Sequence, residues 1–153
     1  MTVNSVRLDD EAATFALGLK LGAMLRAGDV VTLSGPLGAG KTSLARGMLA
    51  ALGFSGDVPS PSFALVIAYE PPDVRLPLWH VDLYRIESPD EIVELGLDDA
   101  RVDSALAIEW PELAGEDAWP DALKLAIEPD DGGRRLTWSA PAAWQGRWPP
   151  PQS

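Results

Sequence analysis

The clearest chemistry in the chain is carried by eight consecutive residues, Gly35-Pro36-Leu37-Gly38-Ala39-Gly40-Lys41-Thr42, which fit the pattern G-x-x-x-x-G-K-[ST]. Glycines let the backbone curl so that successive N–H groups point inward, where they meet phosphate oxygens. A helix that opens directly after the turn adds the positive end of its dipole. Lys41 supplies a compact positive charge for β- and γ-phosphates, and the Thr42 hydroxyl can ligate Mg²⁺. The pattern carries this meaning only between an apolar strand and an amphipathic helix, and both flanks are present. Val30-Val31-Thr32-Leu33 reads as a buried parallel strand, and Leu44, Ala45, Met48, Leu49 and Leu52 recur at helical spacing.

A phosphate loop of this kind needs a carboxylate for its metal, usually at the end of a neighbouring strand. Residues 76–82 offer Asp82 at that position; by strand parity His80, Asp82 and Tyr84 share one face while Val81 and Leu83 take the other. Glu109 follows the apolar run 105–108, at the carboxyl end of a strand, where ligands of open α/β sheets collect. On residue type alone Asp82 also suits a cap or turn, and Glu109 an ordinary solvated strand end. His80, the chain's one histidine, fits a residue that orients a neighbour or fills a polar niche beside these carboxylates, with direct proton transfer as the alternative.

The elements that must position these groups can be read along the chain. A strand over residues 3–8 precedes a helix capped by Asp9 or Asp10 and running to about residue 26, with Ala12, Phe15, Ala16, Leu19 and Ala23 as its apolar face. A proline-punctuated loop over 57–62 leads into a strand over 63–69. Ser88-Pro89-Asp90-Glu91 is a capping box opening a helix to about residue 95. Residues 123–127 and 135–139, joined by Asp130-Asp131-Gly132-Gly133, form a hairpin. The expectation is one α/β domain over residues 1–140, P-loop NTPase-like, with a mainly parallel sheet, helices on both faces and a C-terminal β-hairpin. A proline-rich tail, 141–153, is expected to be peripheral.

Composition narrows the function classes. With 153 residues there is room for one domain. The absence of cysteine excludes disulfides, thiolate zinc sites and cysteine nucleophiles. Without a membrane-length apolar run or a signal-like N-terminus, a cytoplasmic protein is expected. The 12 Lys and Arg stand against 23 Asp and Glu, for a net charge of −11. Sixteen of the acids and only three bases fall between Asp82 and Asp131, leaving the remainder slightly basic. Such a chain is poorly made to hold RNA or DNA unaided, and its six tryptophans lack the interleaved cations of a stacking array. The acidic half is expected to meet a basic partner surface.

Taken together, Gly35 to Arg46, Ser60-Pro61-Ser62-Phe63, His80-Val81-Asp82-Leu83-Tyr84-Arg85 and Glu109-Trp110-Pro111 resemble the TsaE (YjeE) family, small bacterial P-loop ATPases of tRNA threonylcarbamoyladenosine formation. The resemblance covers most of the chain. It implies that Gly38, Ala39, Gly40, Lys41, Thr42 and Ser43 wrap the triphosphate of ATP and that Thr42 and Glu109 hold Mg²⁺. Asp82 would serve hydrolysis through the metal or the attacking water. It further implies a switch-like loop at Ser60–Phe63, Trp110 beside the site, Thr14 near the adenine and Arg135 approaching the nucleotide. Its implied partners are TsaD and TsaB. Pro36, where the family more often has aspartate, removes one backbone N–H, and Ser62 keeps the hydroxyl of the commoner threonine. A slow regulatory ATPase competes with two other readings. A small-molecule or nucleotide kinase would need more lid arginines than Arg75, Arg85 and Arg101, and an ATP-dependent binding module would need no hydrolysis. A GTPase is disfavoured, since no Asn-Lys-x-Asp motif occurs.

Overall fold

The computed structural model describes residues 4–36, 40–59, 65–115 and 118–150. The element order is β1 (Ser5–Leu8), α1 (Glu11–Met24), β2 (Val30–Ser34), α2 (Lys41–Ala51), β3 (Val66–Tyr69), β4 (Leu78–Asp82), α3 (Pro89–Glu94), α4 (Leu97–Ala100), β5 (Ala105–Glu109), a 3₁₀ turn (Pro111–Ala114), β6 (Leu123–Asp130), β7 (Gly133–Ser139) and a second 3₁₀ turn (Ala142–Trp144). All seven strands join one sheet in the order β1-β7-β6-β2-β5-β4-β3. Its centre, β6-β2-β5-β4, is parallel, and β7 and β3 run against it. The expected hairpin is present as β6–β7, turned by Asp131 (φ 46°) and Gly132 (φ 85°). Two consecutive positive φ values match the twist of the flanking strands.

Strand parity separates two apolar layers. Val31 and Leu33 of β2 and Ala105 and Ala107 of β5 face α1 and α2, while Val30, Leu106 and Ile108 face α4 and Trp119. Helices therefore cover both faces, as expected. On β4, Val81 belongs to the second layer, so His80 and Asp82 point toward the α1–α2 side.

The first helix buries a different face from the one its apolar residues suggest. Its buried positions are Thr14, Gly18, Leu21 and Gly22, whereas Ala12, Ala16, Leu19 and Ala23 are exposed. The cause is the approach of α2. A Cβ at Gly18 would collide with the Leu44 carbonyl, one at Gly22 with the Met48 carbonyl, and one at Gly47 with the Phe15 carbonyl. Three glycines thus set a backbone-to-backbone contact, and a search for large apolar residues passes over the positions that make it. On α2 the apolar spacing holds: Leu44, Ala45, Met48 and Leu49 are all buried.

Two local expectations are corrected and one element is added. The capping box is altered: Glu91 accepts from the Glu87 amide at 2.7 Å, and Ser88 makes no side-chain cap bond. A further short helix, α4, follows α3 after a left-handed Gly96. Residues 141–150 are not peripheral, because Trp144 and Trp148 are buried in the larger core. Arg147 also grips Asp29 through two bonds of 2.7 and 2.9 Å, over the Trp144 ring. Proline content signalled a loose tail, but two large aromatics beside an arginine supply enough burial and pairing to dock it.

Gly47→Ala is expected to cost about 2 kcal/mol of stability, because the added methyl must force two backbones apart. Ala16→Ser on the exposed face should stay within about 0.5 kcal/mol of the parent. Urea unfolding, read as a shift in midpoint at constant slope, checks both.

Candidate functional site

Register brings the carboxylates together. On the parallel neighbours β4 and β5, Asp82 pairs with Glu109, and on β2 Leu33 pairs with the same Glu109. Three strands therefore end at one level, and the glycine turn leaves β2 just beyond it. Alternate strand residues point to opposite faces, so the parity that puts Asp82 on the α2 side puts Glu109 there too. Both acids are almost fully buried. Gly40 caps α2 with φ 111°, a left-handed conformation that favours glycine. Having no side chain, it cannot cap the first amides of α2, which leaves them suited to an anion.

Lys41, the first residue of α2, is buried and folds back to donate from Nζ to the Gly35 carbonyl at 2.6 Å. The same ammonium lies 3.8 Å from the centre of the Trp110 ring. Burial lowers the Lys41 pKa from its ordinary value, while Glu109, Asp82 and Glu112 oppose that shift through their negative charge. Trp110 reaches this position with a left-handed backbone, φ 59°, immediately after β5. Such a conformation costs roughly 1–2 kcal/mol in a non-glycine residue, so the surrounding packing must hold it. Its other neighbour is Tyr84, with ring centres 4.9 Å apart, and Tyr84 donates its amide to Asp82 Oδ1 at 2.9 Å. A continuous set of contacts thus runs from Asp82 through Tyr84 and Trp110 to Lys41.

His80 is fully buried and its Nε2 lies 2.6 Å from Glu109 Oε2. It stands on the strand next to Glu109, one step inside Asp82, and orients the carboxylate from below. Its Nδ1 has no hydrogen-bond partner among the described residues.

The remaining residues expected at the site divide into two groups. Ser43 is buried next to Lys41 on α2, and its hydroxyl donates to Glu11 of α1 at 2.9 Å. Thr42 is half-buried at the same helix start. Thr14 is buried, and its hydroxyl donates to the Asp10 carbonyl and accepts from Arg134 Nη1, both at 3.2 Å. That guanidinium sits over the turn, since a Cβ on Gly40 would lie 2.6 Å from Arg134 Nη1. Arg135, the arginine expected to approach, is instead exposed on the opposite face of β7, bonded to Asp130 and Ser5. Parity explains the exchange: the buried Leu136 shares its face with Arg134. Gly38, Ala39 and the loop Ser60–Phe63 lie outside the described residues. Arg85 is exposed beside Tyr84.

The fold and the site define a single α/β domain whose seven-stranded, mostly parallel sheet carries a glycine-lysine-threonine turn and two buried acids at one edge. The family model for "Threonylcarbamoyl adenosine biosynthesis protein TsaE" matches residues 8–136, and the chain belongs to that family. The tRNA threonylcarbamoyladenosine biosynthesis protein TsaE of Streptomyces coelicolor is 44% identical over 113 residues, 73% of this chain and 76% of the relative. The Mycobacterium tuberculosis protein of the same name is 39% identical over 147 residues, 90% of this chain and 86% of the relative. The crystal structure of Bacillus subtilis YdiB superposes with a TM-score of 0.74 at 31% identity, covering 89% of this chain and 84% of that one.

His80→Leu is expected to lower stability by about 1–3 kcal/mol, the penalty for leaving a buried carboxylate without its donor. His80→Gln retains an N–H at similar reach and should recover part of the loss. Chemical denaturation of the two variants tests the pairing with Glu109.

Proposed function

We propose that the chain is a Mg²⁺-dependent, P-loop NTPase-like ATP-binding protein and slow ATPase that serves threonylcarbamoyladenosine modification of tRNA by gating or resetting a TsaD–TsaB transfer complex. The observation that carries the reading is the register that sets Asp82 and Glu109 side by side at the ends of β4 and β5, with their charges acting on Lys41 at the start of α2. Family membership supports the pathway, since relatives of this similarity carry that biosynthetic name. In this reading the protein works in the cytoplasm. Among the described residues no helix is long and apolar enough to cross a membrane.

The donor set fits Mg²⁺. The ion favours one or two carboxylates completed by substrate phosphates and water rather than an all-protein cage. Asp82, Glu109 and Thr42 are hard oxygen donors of that kind, and no group of three or more His, Cys, Asp or Glu suited to a metal occurs among the described residues. When bound, the ion supplies positive charge against the phosphate oxygens. The protein's own groups do the positioning. The first amides of α2 and the glycine turn receive the phosphates, and Lys41 exchanges the Gly35 carbonyl for a phosphate oxygen. Arg134, steadied by Thr14, adds a second cation at Gly40. Asp82 would position the attacking water; the water's oxygen bonds to the γ-phosphorus as the bond to the ADP oxygen breaks, and the water's proton passes to the released phosphate. The acidic surface is unsuited to holding tRNA unaided, so RNA contact belongs to the partner complex.

ATP hydrolysis by the purified chain is expected to be weak alone and higher with TsaD and TsaB. Lys41→Ala and Asp82→Ala should each reduce it roughly 10²-fold or more, the scale of losing one charge-stabilising group. Robust phosphate transfer to a small acceptor without a partner would instead make the chain a kinase. Normal complementation by an Asp82 variant that binds ATP without cleaving it would make it a binding module.

Lys41 also sets a pH dependence. Its pKa is lowered in the free protein and rises when phosphate binds, so ATP binding takes up a proton in the interval between the two values. Affinity should be flat below the free-state pKa and fall as pH climbs through it, beginning below 10.5. Titration calorimetry across alkaline pH checks the sign, and Lys41→Ala should abolish the slope.

A further inference from the structure

The half of the molecule that carries most of the acid also carries an open apolar groove. A cavity of about 330 Å³ lies where α3, α4 and Trp119 meet, floored by Ile92, Leu97 and Trp119 and edged by Val93, Asp98 and Asp99. The helix above it is shallowly seated: no residue of α3 is fully buried, and Val93 is 80% exposed. Ile92 and Leu95 pack inward against the smaller apolar layer, which leaves Val93 exposed among the described residues.

The charge around the groove selects what can enter it. Asp98 and Asp99 are the charged residues that line it among the described residues, and the stretch 90–99 also holds Asp90, Glu91 and Glu94 and no base. Arg101, the next base along the chain, is committed to the Gly28 carbonyl at 2.8 Å and to Asp121 at 2.5 Å, so it does not neutralise the rim. A second copy would oppose acid with acid, and a phosphate backbone would be repelled. An apolar floor within an all-acidic rim is complementary to a polypeptide surface that presents one apolar side chain among lysines or arginines.

We propose that the α3–α4 groove is the docking site for a basic, apolar-tipped segment of a partner protein, which anchors a side chain against Ile92, Leu97 and Trp119 while its cations meet the acidic rim. The proposal rests on the reading that the chain works with TsaD–TsaB, and it names the surface through which that contact is made. The groove is built from residues separate from Lys41, Asp82 and Glu109, so docking and phosphate binding can be separated by mutation.

The test is calorimetric titration of the full chain with purified TsaD–TsaB complex at 50 and 300 mM NaCl, for wild type, Val93→Asp and Asp98→Lys/Asp99→Lys. ATP binding by each variant serves as the control for folding. The expected result is wild-type binding that weakens at the higher salt, at least tenfold weaker binding by both variants, and unchanged ATP affinity. Variants that assemble like wild type remove the groove while leaving the partner reading intact. Absence of binding by the wild-type chain removes the partner reading and the groove with it. Self-association of the chain alone, abolished by Val93→Asp, would make a second copy the occupant and overturn the proposal.

Discussion

An ammonium and two carboxylates are enclosed at one edge of the sheet, and the surrounding structure answers the need to keep them paired. Buried ions are tolerable only with close partners of opposite charge and satisfied hydrogen bonds. Lys41 meets this with the Gly35 carbonyl, the face of Trp110 and the charges of Glu109 and Asp82. Glu109 has His80 beneath it, and Asp82 has the Tyr84 amide. The left-handed turn at Trp110 brings its ring over Lys41 and into tilted contact with Tyr84, adding apolar cover without another ion.

The parallel centre of the sheet makes this enclosure possible. Antiparallel neighbours would send the ends of adjacent strands to opposite edges, whereas β2, β5 and β4 finish side by side. The glycine turn, Glu109 and Asp82 then converge although they are far apart in sequence. Only the flanking strands, β7 and β3, run the other way. On the β7 side this return brings Arg134 back over Gly40, so a reversed strand supplies a further cation to the parallel core.

Much of this was legible in the residues. The phosphate-loop pattern, the alternation about Asp82, the acid after the apolar run 105–108 and the hairpin all depend on local rules that survive folding. What was hidden depends on contacts between distant segments. The buried face of α1 could not be read from apolar spacing because Gly18 and Gly22 make it, and their fit exists only against α2. The choice between Arg134 and Arg135 turns on a one-residue phase in β7, set by pairing with β6 and β1. Trp144, Trp148 and Arg147 looked like the remains of a loose tail until Asp29 and the core supplied their partners.

The glycine contact between α1 and α2 also has a mechanical meaning. Helices that touch backbone to backbone, with carbonyls where side chains would stand, leave little room to slide or roll. Ser43, bound to Glu11, ties α2 to α1, and Thr14, bound to Arg134, ties the same end of the pair to the hairpin. The segment from Leu83 to Ser104 is held differently: α3 is only partly buried, while α4 buries Leu97 and Ala100 and Arg101 donates to the Gly28 carbonyl. The glycine-packed helix pair and the short acidic helices thus flank the site by different means, the first through backbone contact and the second through side chains.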